Sequence, residues 1–127
     1  MPKKYRKGYV AELEMVHKLA EKGFMVLRSP RSGRLCLPSP DIIAAKGDKL
    51  IVIECKSHKK AFKIPKEQLN ELVKWEQKTF AKAYICWKMS RKDWFFIPLN
   101  TVIKNNGNVG KKFCMEHGIK FETLFKI

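Results

Sequence analysis

Two acidic residues and a lysine lie at the ends of apolar segments, where packing alone would not place charged groups. Asp41 opens one apolar run, and Glu54 and Lys56 close the next, residues 50–56. Side chains alternate across a strand, so Glu54 and Lys56 share one face, about 7 Å apart along the backbone. Because Gly47-Asp48 predicts a short turn between the two runs, we expect a hairpin in which Asp41 lies beside Glu54.

Two carboxylates held this close suit a hard divalent cation. They repel each other, which costs free energy unless a cation lies between them. Oxygen ligands are what Mg²⁺ prefers, and the metal can polarise a phosphoryl oxygen and activate a bound water. Lys56 could orient that water or neutralise charge on the phosphate. Taken singly, acids at strand ends are often merely solvated, so the joint pattern carries the hypothesis.

Glu12 is a further candidate for the same cluster. A helical periodicity over residues 9–22 places Leu19, Val16, Leu13 and Ala20 in one arc, and Glu12 falls inside it, on the face that should be buried. We expect Glu12 to reach the carboxylates as a metal or water ligand. A salt bridge to a neighbouring Lys or Arg is the alternative interpretation.

The net charge predicts a polyanionic partner. The 127 residues include 27 Lys and Arg against 12 Asp and Glu, a formal charge of +15. Such a field attracts polyanions, most commonly nucleic acid. Because lysine suits phosphates whereas bidentate reading of bases favours arginine, the 22 lysines indicate binding to the DNA backbone. With 45% apolar residues the chain can bury a core, which excludes a disordered tail and predicts one domain over residues 1–127.

Membrane, secretory and zinc-binding roles are not indicated. No apolar run approaches the roughly 20 residues needed to span a bilayer, and the basic first residues do not resemble a secretory signal, so a cytoplasmic location is expected. The four cysteines, at positions 36, 55, 86 and 114, form no paired metal-binding motif with one another or with the histidines, which we expect at the surface. Reduced thiols are therefore expected.

The pattern of elements predicts an α/β fold. The predicted helices cover residues 9–22, ended by Gly23, and a segment beginning at Pro65; the predicted strands are 24–28, 41–45, 50–56, 83–87 and 94–97. The third strand is apolar on both faces, as at the centre of a covered sheet. A mixed sheet of about five strands flanked by helices follows. Beyond Asn100 the signal weakens to a turn at 105–108 and a short apolar tail.

These residues carry a resemblance. Pro40-Asp41, followed thirteen residues later by Glu54-Cys55-Lys56, resembles the PD-(D/E)xK nuclease signature. The wider context is similar to the archaeal Holliday junction resolvases. The matching segments, in chain order, are Arg6-Lys7-Gly8, Glu12, Lys22-Gly23-Phe24, Val26, Arg28-Ser29-Pro30, Ser32-Gly33, residues 40–44, residues 53–57 and Gln68.

The resemblance implies a restriction-endonuclease-like core and a homodimer that nicks two opposing strands of a four-way DNA junction. Symmetry agrees, since one small domain carries one site and two cuts are needed. Mg²⁺ is the implied cofactor, and Mn²⁺ would substitute. The implied roles are metal binding for Asp41 and Glu54, activation of water for Lys56, completion of the site for Glu12, support of the site for Gln68, and positioning or cleavage of DNA for Ser32.

Basic residues flank the predicted site. Only a fraction of basic residues touch DNA, so an unengaged surface charge is the alternative for each. The expected DNA contacts are Arg6, Lys7, Arg28, Arg31, Ser32, Arg34, Lys59, Lys60 and Lys63. Two rival functions stay open: another PD-(D/E)xK nuclease, of the repair or restriction type, and a basic DNA-binding protein without catalysis. The sequence does not decide whether a sliding clamp engages the tail.

Overall fold

Helices and strands alternate around one mixed sheet. The computed structural model describes residues 3–29, 40–89 and 93–126, with side chains described from residue 10 onward within the first range. The elements are α1 (Lys3–Glu21), β1 (Met25–Arg28), β2 (Ile42–Lys46), β3 (Lys49–Lys56), β4 (Phe62–Lys63), α2 (Lys66–Lys78), β5 (Lys82–Lys88), β6 (Trp94–Pro98), α3 (Leu99–Lys104), β7 (Asn108–Val109), α4 (Lys111–His117), β8 (Ile119–Lys120) and α5 (Phe121–Leu124).

The main sheet has six strands in the order β1-β2-β3-β5-β6-β8, and β4 pairs with β7 in a separate small sheet. Strands β3 and β5 are parallel, while the other pairs in the main sheet are antiparallel. A parallel pair needs a crossover connection, and α2 supplies it. The predicted mixed sheet of about five strands flanked by helices is therefore confirmed, and the structure adds a sixth strand. The missed strand, β8, is two residues long and gains its pairing from β6, which no local pattern shows.

Each face of the sheet is covered by its own apolar layer. On one face, Met15 and Leu19 of α1 pack with Ile42 and Ile53, whereas Leu72 of α2 packs in the layer on the opposite face. Alternate residues of β3 enter the two layers, which confirms its predicted central position. Complete burial of such a side chain is worth about 1.5–3 kcal/mol, so these layers hold the two helices against the strands that carry the site.

Helix α1 differs from its prediction in extent and in facing. It begins at Lys3 rather than residue 9, because it continues through Gly8, at a cost of about 1 kcal/mol relative to alanine. Its buried row includes Met15 and Leu19, four residues apart, while the expected Ala20 is exposed and Leu13 is half-buried. The part of the α1 surface that packs against the sheet is therefore narrower than the apolar arc predicted from the sequence.

A carboxylate on the partly buried side of α1 ties this helix to the far strands. Lys88 of β5 and the indole Nε1 of Trp94 in β6 donate hydrogen bonds to Glu14, the latter at 3.1 Å. Burial acts to raise the pKa of Glu14, but these hydrogen bonds and the positive charges of Lys88 and Lys18 outweigh it and lower that pKa below its ordinary value. The link therefore depends on an ionised carboxylate.

The β2–β3 hairpin sets the register on which the site depends. Its two strands are joined by the two-residue turn Gly47-Asp48, with Gly47 at a φ of 59°. Positive φ is typical of such hairpin turns. The register aligns Ile42 with Ile53, so Asp41, immediately before β2, lies across from Glu54. This confirms the predicted hairpin.

The last part of the chain folds back over the loop that follows β3. The Ile64 N–H donates to the Gly107 carbonyl at 2.9 Å, and Phe62 pairs with Val109 between β4 and β7. Asn106 and Gly107 have φ values of 57° and 83°, which confirms the predicted turn at 105–108. The short elements around that turn were not predicted. Within the ranges that the structure describes, no helix is long and apolar enough to cross a membrane.

Candidate active site

Asp41 joins the ends of three strands. Its Oδ2 accepts a hydrogen bond from the Cys55 backbone N–H at 2.9 Å, and its carbonyl accepts one from the Ser29 N–H at 2.9 Å. The Ser29 hydroxyl in turn donates to the Pro40 carbonyl. The carboxylate therefore lies at the mouth of the hairpin, where a backbone N–H of β3 holds one of its oxygens.

Glu54, Lys56 and Gln68 form the second part of the site, on the face covered by α2. The Lys56 Nζ lies 3.7 Å from Glu54 Oε2 and donates to Gln68 Oε1 at 3.3 Å. The Lys56 and Glu54 side chains are mostly buried, with exposed fractions of 17% and 12%. The predicted alternation of residues 54 and 56 onto one face is confirmed, and α2 contributes a group that orients the ammonium.

Glu12 approaches from the opposite face of the sheet. Its Oε1 accepts a hydrogen bond from Arg28 Nε at 3.0 Å, and the Glu12 side chain is only 3% exposed against 24% for Arg28. The salt bridge that the sequence offered as an alternative is therefore present. Arg28, at the end of β1, was expected to contact DNA; here its Nε is directed at Glu12.

The expected meeting of all three carboxylates is not what the structure shows. Among the residues described, no three His, Cys, Asp or Glu side chains form a group that could hold a metal ion by themselves. The physical reason is that α1 carries Glu12 on the far face of the sheet, where Arg28 engages it. Asp41 and Glu54 stay as neighbours across two strands.

A divalent cation fits the donors that remain. Asp41 and Glu54 offer hard carboxylate oxygens at adjacent strand ends. Mg²⁺ is usually bound through one or two carboxylates and keeps several waters or substrate phosphate oxygens in its shell. Two protein carboxylates, without a third, are therefore an adequate donor set for an ion that acts on a phosphodiester.

The other predicted site residues are either exposed on the surface or outside the described part of the chain. Lys59, Lys60 and Lys63 are exposed on the segment that follows β3. Arg31, Ser32 and Arg34 lie outside the described residues, and so do the side chains of Arg6 and Lys7.

An aromatic support beside Lys56 was missed by sequence reasoning. The Trp87 indole Nε1 donates to the His58 carbonyl at 2.8 Å, and the His58 imidazole stacks on Phe62 with ring centroids 4.9 Å apart. His58 was expected to be a surface residue, and it is exposed, as predicted. The sequence did hold one indication that His58 lies near the site, because it follows Lys56 by two residues.

The two buried cysteines of the described residues offer no competing site. Cys86 and Cys114 are thiols outside any disulfide. Burial, followed by the neighbouring Cys114, raises the pKa of Cys86 well above its ordinary value, and burial raises the pKa of Cys114 to about 11. Thiols of this kind are poor nucleophiles and poor metal ligands at neutral pH.

Comparison with known proteins finds similarity to the family that the sequence motifs resemble. The family described as archaeal Holliday junction resolvase (Hjc) matches residues 3–127. Two curated relatives carry the name crossover junction endodeoxyribonuclease Hjc. The one from Sulfolobus acidocaldarius is 32% identical over 125 residues, covering 94% of this chain and 87% of the relative. The one from Methanocaldococcus jannaschii is 31% identical over 121 residues, covering 94% and 84%.

A solved structure shares the fold. The 1.6 Å structure of Archaeoglobus fulgidus Hjc, a Holliday junction resolvase from an archaeal hyperthermophile, matches with a TM-score of 0.77 and 26% identity. The match covers 87% of this chain and 91% of that one. The mixed sheet flanked by helices is therefore the fold of a solved junction resolvase.

Proposed function

The chain belongs to the archaeal Holliday junction resolvase family, and from that premise we propose that it is an endodeoxyribonuclease that resolves four-way DNA junctions. The observation that carries the proposal is the placement of Asp41 against Glu54, with Lys56 3.7 Å from the Glu54 carboxylate. Residues 1–127 act as one nuclease domain with one such site.

The charge of the chain supports junction DNA as the substrate. A formal charge of +15, mostly from lysine, suits a ligand recognised by its backbone and shape. Exposed Lys59, Lys60 and Lys63 contact phosphates beside the site, and Arg6, Lys7, Arg31, Ser32 and Arg34 make further contacts to the DNA. A DNA-directed enzyme of this family works in the cytoplasm.

Asp41 and Glu54 hold the divalent cation, Mg²⁺ or Mn²⁺. When bound, the metal polarises a phosphoryl oxygen and lowers the pKa of a water. The Cys55 N–H fixes the Asp41 carboxylate against β3, beside the residue that follows Glu54, so one of the two oxygen donors is positioned before the metal binds. Preorganisation of this kind is what makes charged groups effective in a site that excludes water.

Lys56 assists the chemical step. Its ammonium, held between Glu54 and Gln68, stabilises negative charge on the attacking water or on the phosphate. The water oxygen forms a bond to phosphorus, the bond to the 3′-oxygen breaks, and that oxygen takes up a proton. The products are 5′-phosphate and 3′-hydroxyl ends. Glu12 completes the site through Arg28, whose orientation it fixes.

Two copies of the chain cut the two opposing strands of a junction. One chain carries one site, and a two-fold symmetric junction needs two cuts, so a two-fold dimer is the simplest assembly. Met25 and Leu27 support this arrangement, because they are 80% and 71% exposed on the edge strand β1. Exposed apolar residues on an edge strand are usually covered by a partner.

The test is cleavage of an immobile four-way junction, labelled on each strand in turn, with and without Mg²⁺. Duplex and flap DNA of the same sequence serve as comparison substrates. We expect metal-dependent paired nicks in opposing strands of the junction. A preference for plain duplex would favour another PD-(D/E)xK nuclease, and junction binding with no metal-dependent cleavage would favour an architectural DNA-binding protein.

Carboxamide variants test the metal ligands. Asn at position 41 can still accept the Cys55 N–H, so Asp41→Asn should fold, lose cleavage by about a thousandfold or more, and bind the junction at least as well as before. Glu54→Gln should behave alike. Asp48→Asn, with the same charge change in the exposed turn, should cut normally. Loss of binding in step with cleavage would contradict the ligand roles.

A further inference from the structure

An exposed histidine beside the proposed active site is held in one orientation by a stack of aromatic rings. The imidazole of His58 stacks on Phe62 at 25° between the planes, and the Phe62 ring meets Trp87 edge-on at 5.0 Å. Trp87 is fully buried, and its indole N–H also fixes the His58 carbonyl. The stacking on Phe62 and the hydrogen bond from Trp87 together define the orientation of His58 before any ligand binds.

The position of this histidine relates it to the catalytic strand. Trp87 is the register partner of Lys56 in the parallel β3–β5 pair, and His58 follows Lys56 by two residues. The segment from His58 to Phe62 is anchored at its far end by the β4–β7 pair. The imidazole therefore lies at the border of the site, one step beyond the group that assists hydrolysis.

We propose that His58 is a DNA-contacting residue whose imidazole N–H donates to a backbone phosphate adjacent to the one that is cut. The inference rests on the proposed function and adds a residue to it. Its immediate sequence neighbours Lys59 and Lys60 are exposed cations, which favour an anion at this place. A neutral imidazole already carries one N–H donor, so the contact needs no change of protonation.

Phe62 acts as a positioning residue in this arrangement. It covers one face of the imidazole, which restricts the ring before binding and so reduces the freedom lost on binding. A base stacked on the remaining face is a different arrangement, and the variants below separate the two.

The experiment compares two replacements that keep different parts of the imidazole. His58→Phe keeps a ring that stacks on Phe62 but removes the N–H, whereas His58→Gln keeps an N–H donor and removes the ring. The control is His117→Phe, because the exposed His117 ring also lies against a phenylalanine, Phe113, at 4.7 Å, but on α4. Affinity for an immobile junction is measured by fluorescence anisotropy without divalent cation, at fixed salt and pH.

We expect His58→Phe to weaken junction binding by about tenfold, the range for a hydrogen bond to a charged group. His58→Gln should stay within about threefold of the unaltered chain, and His117→Phe should match it. Equal affinity for His58→Phe and the unaltered chain would overturn the inference. So would loss in His58→Gln alone, which would indicate base stacking.

A double-mutant cycle tests the positioning role of Phe62. Phe62→Leu should weaken binding by about threefold alone and add nothing in the His58→Phe background, since both act on one contact. Additive losses would mean that Phe62 acts through the fold and not through His58. If the unaltered chain binds junctions but does not cut them, the proposed function fails, while the affinity comparison still decides the role of His58.

Discussion

The ion pair between Glu12 and Arg28 gives the sharpest stability prediction. Arg28→Met keeps an unbranched apolar stem but removes the guanidinium that donates to the Glu12 carboxylate at 3.0 Å, on a side chain that is 3% exposed. Removing one member of a buried pair usually costs about 3–5 kcal/mol. Because Arg28 is 24% exposed and water can enter, we expect the free energy of unfolding to fall by about 2–4 kcal/mol. For a chain of this length the Tm falls by about 6–20 °C.

The matched control is the exposed pair between Lys22 and Glu122, also joined at 3.1 Å, in which Glu122 is 72% exposed. Lys22→Met should cost no more than about 1 kcal/mol, as for surface pairs in general. Urea unfolding followed by tryptophan fluorescence measures both, with unchanged m-values showing a common reference state. Equal costs for the two variants would refute the reasoning. The double variant Glu12→Leu with Arg28→Met should recover much of the loss, because no buried charge is left unpaired.

Three further outcomes follow from contacts described above. Gln68→Leu removes an acceptor from the Lys56 ammonium, so single-turnover cleavage should slow by about tenfold at unchanged junction affinity; a matching loss of affinity would mean that Gln68 binds DNA. Gly107→Ala should cost more in urea unfolding than Gly47→Ala. Both have left-handed φ, worth about 1–2 kcal/mol, but only at Gly107 would the new Cβ meet a backbone oxygen, at 2.6 Å; equal costs would contradict this. Glu14 has a lowered pKa in the folded chain, so its link stabilises above the ordinary pKa of a glutamate and is lost as the pH falls through the folded value. Glu14→Gln should therefore destabilise the chain at pH 7 and lose that effect on acidification, as urea titrations at each pH will show; a pH-independent difference would refute it.

The positions of Asp41, Glu54 and Lys56 could be predicted from the sequence, because they depend only on the alternation of side chains along a strand and on the length of one turn. Side-chain alternation places Glu54 and Lys56 on one face, and a two-residue turn aligns the strand after Asp41 with the strand before Glu54. Both features are local, and both are confirmed. The contact between Lys56 and Gln68 required one further condition, that α2 covers the face of the sheet on which Lys56 lies.

The position of Glu12 could not be predicted in the same way. Helical periodicity showed that Glu12 is buried, but its partner depends on which face of the sheet α1 covers and where β1 ends. Those are properties of the packed layers rather than of residues 9–22. The meeting of three carboxylates was therefore wrong, although the burial and the alternative salt bridge were right.

The region beyond Asn100 was hidden for a different reason. Strands β7 and β8 are two residues long, and such segments take their conformation from partners far along the chain. Phe95 and Phe96 of β6 are the register partners of Lys120 and Ile119 in β8. Both are buried, because each enters a different apolar layer.

The turn that joins β2 to β3 restricts how this chain can vary. Exposed turns usually tolerate added or lost residues. Here a gain or loss of one residue at Gly47-Asp48 would move Asp41 out of line with Glu54 and rotate Ile42 away from its apolar layer. A loop about 17 Å from the carboxylates, five residues of strand away, thus fixes their spacing, so a change in its length would disturb the site although the loop does not touch it.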